Sequence, residues 1–124
     1  MKNLIIISAP SGAGKTTLCR SIQAQISQIK WSISFTTRKK RKMEKNGVDY
    51  QFISESTFKK LIDNSFFAEW EKVHGFYYGT SKDSINKIIK KNEMLLLEMD
   101  VKGALSIKKL YPSKTFSIFI TPPS

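Results

Sequence analysis

The apolar residues of this chain fall into two patterns, short unbroken runs and stripes at helical spacing. Leu4 to Ile7 is an unbroken, largely β-branched run, as expected of a strand buried on both faces in a parallel sheet. Met94 to Met99 is a second buried run, and Thr115 to Ile120 reads as a third strand. After the first run, Leu18, Ile22 and Ile26 recur every fourth residue and predict an amphipathic helix from Lys15, with Cys19 beside the stripe as a small buried apolar residue. Val101 to Leu110, closed by Pro112, predicts a helix after the second run. Strand–helix units at both ends imply an α/β core built on a parallel sheet.

The middle of the chain reads differently. Trp31 to Phe35 alternates large and small residues and predicts a half-buried strand; residues 37–46 are a charged loop; Tyr50 to Ile53 is a short strand. Ser54 is placed to cap a helix carrying Phe58, Leu61 and Ile62. Phe66 to Val73 is strand again, and Gly75 and Gly79 are expected to bracket an aromatic turn, Phe76-Tyr77-Tyr78. Thr80 with Asp83 predicts a capping box for a helix bearing Ile85, Ile88 and Ile89, with Asn92 as its stop. Short strands mixed with helices predict a small α+β insertion at residues 34–90, leaving 1–33 and 91–124 as the core.

Composition narrows the function. At 124 residues the chain suits one domain with a small insertion, and its single cysteine excludes an intrachain disulfide and fits a reducing, cytoplasmic setting. No apolar stretch is long enough for a membrane span. The net charge of +11 raises the prospect of nucleic-acid binding, but 18 of the 21 basic residues are lysines scattered along the chain. Two of the three arginines, Arg38 and Arg41, lie together, and a planar guanidinium is favoured where phosphate oxygens are gripped in pairs. A discrete phosphate site is therefore expected, with no nucleic-acid and no membrane partner.

Ala9-Pro10-Ser11-Gly12-Ala13-Gly14-Lys15-Thr16 stands between the first strand and the first helix. It follows the phosphate-loop pattern G-x-x-x-x-G-K-[ST], with Ala9 in place of the first glycine. In such a loop backbone N–H groups and the helix N-terminus converge on phosphate oxygens. Gly12 and Gly14 allow the close approach, Lys15 supplies charge to the β- and γ-phosphates, and the Thr16 hydroxyl can ligate Mg²⁺. Thr17 is counted with the same ATP-binding segment.

Further blocks stand in order: Ser34-Phe35-Thr36-Thr37-Arg38-Lys39-Lys40-Arg41, then Glu44, Gly47 and Asp49-Tyr50-Gln51-Phe52; Phe67-Ala68-Glu69-Trp70; Tyr77-Tyr78-Gly79-Thr80-Ser81; and Asp100-Val101-Lys102-Gly103-Ala104. In order and spacing they resemble the guanylate kinase signature, from the first strand to Pro122-Pro123-Ser124. The resemblance implies a P-loop NTPase core with an inserted GMP-binding region, and transfer of the γ-phosphoryl group of ATP to GMP with Mg²⁺. It implies that Ser34, Arg38, Arg41, Tyr50 and Tyr78 hold the acceptor phosphate; taken alone, the two tyrosines read as packing residues. Glu69 would accept from guanine N1–H and N2–H₂, and Thr80 would donate to O6. Asp100 would lie near the acceptor and the metal's water shell. Lys15, Arg38, Arg41 and Asp100 form the implied catalytic set.

Two departures from the family pattern are Met43, where glycine is usual, and Glu98, where aspartate is usual. His74, the only histidine, is expected to be structural or exposed. Family members continue beyond the Pro-Pro-Ser segment into a lid with further arginines, so these 124 residues are expected to bind nucleotide with little or no turnover. The rival reading is a guanylate-kinase-like module that binds phosphopeptides without catalysis, for which an intact Gly14-Lys15-Thr16 would be unnecessary.

Overall fold

The structure, a computed structural model, describes residues 1–8 and 15–120, the side chains of Lys15 and Thr16 excepted. In chain order its elements are β1 (Leu4–Ser8), α1 (Lys15–Gln25), β2 (Ile29–Trp31), β3 (Phe35–Thr36), β4 (Gln51–Phe52), α2 (Glu55–Asp63), β5 (Phe67–Val73), β6 (Phe76–Ser81), α3 (Lys82–Lys90), β7 (Met94–Met99), α4 (Val101–Leu110) and β8 (Thr115–Phe119). They form two compact units, one of Met1–Ser32 with Ile85–Ser124, the other of Ile33–Ser84. The second crossing between units falls inside α3, just before its buried Ile85 and Ile88, and not at the helix's C-terminal end.

The first unit is built on a parallel sheet of order β2-β7-β1-β8. The unbroken run Leu4–Ile7 supplies the inner strand β1, whose Leu4, Ile6 and Ile7 are fully buried. Against one face, Ile7, Cys19, Ile29 and Leu96 form a core cluster flanked by Leu18 and Ile22 of α1. Cys19 is thus a buried apolar residue, as expected. Ile26 is not part of the helix and is exposed. At 3.6 residues per turn, a four-residue repeat drifts about 40° per step, so the third member of the stripe leaves the buried face.

Local chemistry fixes the ends of the helices. Asp100 caps α4 by accepting the Gly103 N–H at 2.8 Å, while Ala104 and Ile107 are buried. Asn92 does stop α3: its φ of 54° lets its own N–H reach the Ile89 carbonyl and the Glu93 N–H reach that of Ile88. The buried Asn3 amide donates to the Glu93 carbonyl at 2.7 Å and so ties this cap to the strand region.

The second unit has a mixed sheet of order β4-β3-β6-β5, with β3 and β4 parallel and the other pairs antiparallel. Three sequence expectations are corrected here. Trp31 to Phe35 is not one strand: Trp31 ends β2 in the first sheet and Phe35 opens β3 in the second. The turn lies at His74-Gly75, not at Phe76-Tyr77-Tyr78, which is strand β6. Both turn residues have positive φ, 51° and 86°, as a two-residue type I′ hairpin requires, so His74 is an exposed turn residue.

Gly79 is the third correction: it sits inside β6 because a Cβ there would lie 2.7 Å from Phe67 Cδ1 and 3.1 Å from Phe58 Cζ. Ser54 caps α2 as expected, and α2 packs its buried Phe58 in stacks on Phe67 and Tyr77. One face of this sheet is therefore an aromatic core under α2.

Candidate nucleotide-binding site

The opposite face of the second sheet carries the polar residues singled out by sequence. On β6, Tyr78 and Thr80 lie one residue either side of Gly79 and point away from α2. The β5 register places Glu71 opposite Tyr78 and Glu69 opposite Thr80. A bulge between Phe67 and Glu69 makes this possible. Without it the two side chains would share a face; the extra residue re-aims Glu69 while Phe67 stays in the aromatic core. Thr80 is not a helix cap. It is 2 % exposed and donates its hydroxyl proton to Glu69 Oε1 at 2.8 Å. Ser81 takes the expected capping role, accepting the Ser84 N–H.

Arg38 stands where β3 runs into the charged loop. The buried Thr36 anchors that junction, donating to the Tyr77 carbonyl at 2.9 Å and accepting the Arg38 N–H at 3.2 Å. The guanidinium meets Glu44 fork to fork, Nη1 to Oε1 at 2.9 Å and Nη2 to Oε2 at 2.8 Å. Both side chains are largely covered, at 12 % and 17 % exposure. Arg38 also lies over the rings of Tyr50, at 5.3 Å, and Phe52, at 5.9 Å, and the Tyr50 and Tyr78 rings are 6.0 Å apart.

Charge follows this geometry. Glu44 is held down to about 2, chiefly by its bonds to Arg38 and then by the Arg41 N–H. The bonds to Glu44 stabilise the Arg38 cation beyond its ordinary range. Burial pushes the Tyr50 phenol up, so it stays a neutral donor.

The structure thus brings Arg38, Tyr50 and Tyr78 together and couples Glu69 to Thr80 on the same sheet. Ser34 is half-buried just before β3, its carbonyl accepting the Gln51 N–H at 2.8 Å. Arg41 has an exposed side chain; its backbone N–H bonds Glu44 Oε1 at 2.8 Å. Glu44 was part of the sequence pattern but carried no role there. The available signal was an acid within a run of bases, Lys39 to Lys45.

In the first unit, Lys15 opens α1 and Thr17 is exposed on its first turn. Ala9, Pro10, Ser11, Gly12, Ala13 and Gly14, and the side chains of Lys15 and Thr16, lie outside the described residues. Asp100 follows Met99, which pairs with Ser8, so the C-terminal ends of β7 and β1 are neighbours. Ligands collect at that end of open α/β sheets. Glu98 is half-buried on β7, opposite Ile7. No described helix is long and apolar enough to cross a membrane.

A parallel sheet with a phosphate-loop sequence between its inner strand and the following helix defines a P-loop NTPase fold. Within that class the chain belongs to the guanylate kinase family, whose model matches residues 1–124. It is 46% identical over 121 residues to a guanylate kinase of Chlorobium chlorochromatii, covering 98% of this chain and 64% of the relative. It is 47% identical over 122 residues to one of Methylobacillus flagellatus, covering 98% and 60%. The crystal structure of guanylate kinase from Anaplasma phagocytophilum superposes with a TM-score of 0.79 at 31% identity, over 98% of this chain and 60% of that one. The chain thus spans about three-fifths of the length of these relatives.

Proposed function

We propose that this chain serves an ATP:GMP phosphotransferase, moving the γ-phosphoryl group of ATP to GMP to give ADP and GDP. The observation that carries the reading is the polar face of the second sheet, where Arg38, Tyr50 and Tyr78 gather beside the Thr80–Glu69 pair. A cation flanked by phenol hydroxyls suits a phosphate, and a carboxylate beside a hydroxyl suits the N1–H, N2–H₂ and O6 edge of guanine. Arg38 and Arg41 hold the acceptor phosphate, with Ser34, Tyr50 and Tyr78 as further donors. Glu69 selects guanine, because adenine would set an acceptor against its charge. Lys15 and the backbone N–H groups of residues 11–14 hold the ATP phosphates, with Ala9 and Pro10 leading into the loop and Pro10 giving no N–H. An acceptor phosphate oxygen attacks the γ-phosphorus in line, and the bond to the β,γ-bridging oxygen breaks to release ADP.

Mg²⁺ bound with ATP would offset phosphate charge. The residues suited to it are oxygen donors, Thr16 directly and Asp100 through water, as this hard cation prefers. Asp100 also caps α4, its Oδ1 accepting the Gly103 N–H at 2.8 Å. Of the three arginines two serve the acceptor, and Arg20 is exposed on α1. With no further arginine for transition-state charge, these residues alone bind both nucleotides and turn over slowly. The buried Cys19 thiol suits the reducing cytoplasm.

Calorimetry of residues 1–124 with GMP, AMP and ATP tests the reading. GMP binds far more tightly than AMP, and Lys15→Ala abolishes ATP binding while leaving GMP affinity within about twofold, since the substitution leaves every acceptor residue in place. Equal affinity for GMP and AMP, or loss of both nucleotides in Lys15→Ala, refutes it.

A further inference from the structure

A guanidinium has five N–H bonds in a fixed plane. In Arg38 three of them are committed: one from each Nη to Glu44, and a second from Nη1 to the Lys39 carbonyl at 3.0 Å. The remaining pair, Nε–H and the other Nη2–H, lies along one edge of the plane, and the phenols of Tyr78 and Tyr50 are the other hydrogen-bonding groups beside the guanidinium. That edge is the side-on fork that matches two oxygens of a phosphate. Glu44 occupies the end-on fork and so decides where the side-on fork points. Its Oε1 also takes the Arg41 N–H at 2.8 Å, and Lys40 Nζ bonds the Glu44 carbonyl at 3.1 Å, so the carboxylate is itself fixed to the loop.

We propose that Glu44 is a positioning residue for the acceptor phosphate: it locks the Arg38 plane end-on so that the Nε–Nη2 edge faces the phosphate. This deepens the acceptor-site reading above and rests on it. An opposing effect exists, because a carboxylate near the site also repels a phosphate dianion. Orientation outweighs it: the repulsion acts at longer range and is screened by salt, whereas the fork contacts are direct and short.

A double-mutant cycle decides the matter. GMP affinity is measured by chemical-shift titration, which reaches millimolar dissociation constants, for the unmodified chain, Glu44→Gln, Arg38→Ala and the double variant, beside thermal melts of each. Gln keeps the shape but sets an amide donor against one Nη, so the fork is broken. Glu44→Gln is expected to weaken GMP binding about 10- to 100-fold, the scale seen when a partner that orients a metal ligand is lost. In the Arg38→Ala background the same change should cost less than about twofold. The proposal is overturned by unchanged or tighter GMP binding in Glu44→Gln, by an equal loss in both backgrounds, or by loss of cooperative melting. Absence of GMP binding by the unmodified chain overturns the acceptor reading and this proposal together.

Discussion

Thr80→Val removes one oxygen and nothing else of size. In this structure the hydroxyl has a single proton, and it goes to Glu69 Oε1 at 2.8 Å in a residue only 2 % exposed. A hydrogen bond to a charged group contributes about 1.5–3 kcal/mol, which corresponds to roughly a 10- to 150-fold change in affinity where the bond orients a binding group. The expected result is GMP binding weakened by that factor, read by calorimetry well below the melting temperature. The comparison that reveals the route is IMP, which lacks the N2 amine. If Thr80 acts by holding Glu69 for N1–H and N2–H₂, the variant loses more affinity for GMP than for IMP. If Thr80 acts by donating to O6, which both bases carry, the two lose equally. GMP affinity unchanged in a normally melting Thr80→Val would refute the coupling altogether.

Two further substitutions test the frame around the site. Gly79→Ala drives a methyl to 2.7 Å from Phe67 Cδ1, so denaturant titration in a Trp31→Phe background, which reads the second unit through Trp70, should show a loss of about 1–3 kcal/mol; a variant as stable as the parent would mean that the aromatic stack yields freely. Asp100→Ala removes the α4 cap and should cost about 0.5–2 kcal/mol, whereas Asp100→Asn keeps an accepting oxygen and should cost less. Nucleotide binding that falls in Asp100→Asn at full stability assigns the carboxylate's charge a role beyond the cap.

The core was legible because its strands and helices are specified locally. Leu4–Ile7 and Met94–Met99 are apolar without interruption, a pattern that only a doubly covered strand tolerates. Ser54 and Asn92 announce a helix start and stop through chemistry confined to a few neighbouring residues. What the chain did not disclose depends on partners distant in sequence. Gly79 reads as a turn residue until Phe58 and Phe67 are seen to need its space. Thr80 and Asp83 satisfy a capping-box pattern, yet Thr80 belongs to a strand whose register against β5 gives its hydroxyl to Glu69. The bulge that turns Glu69 out of the aromatic layer has no signature in Phe67-Ala68-Glu69. The split after Trp31 was hidden because a half-buried alternation reads the same in either of two sheets.

These misses share a cause that bears on function. Strand β6 is the common wall of two environments: Tyr77 and Gly79 face the stack under α2, and Tyr78 and Thr80 face the polar side. A strand is thin enough that moving Gly79 by a few tenths of an ångström moves both neighbours by as much. Hydrogen bonds at 2.8 Å weaken steeply with misalignment, so the aromatic layer sets how accurately Thr80 presents Glu69. The same logic holds on the neighbouring strand β3, where Thr36, fully buried, bonds the Tyr77 carbonyl and the Arg38 N–H at once. Base and phosphate recognition in the proposed acceptor site are therefore referred to one strand, and Gly79→Ala should weaken GMP binding as well as folding, although Gly79 reaches neither the base nor the phosphate.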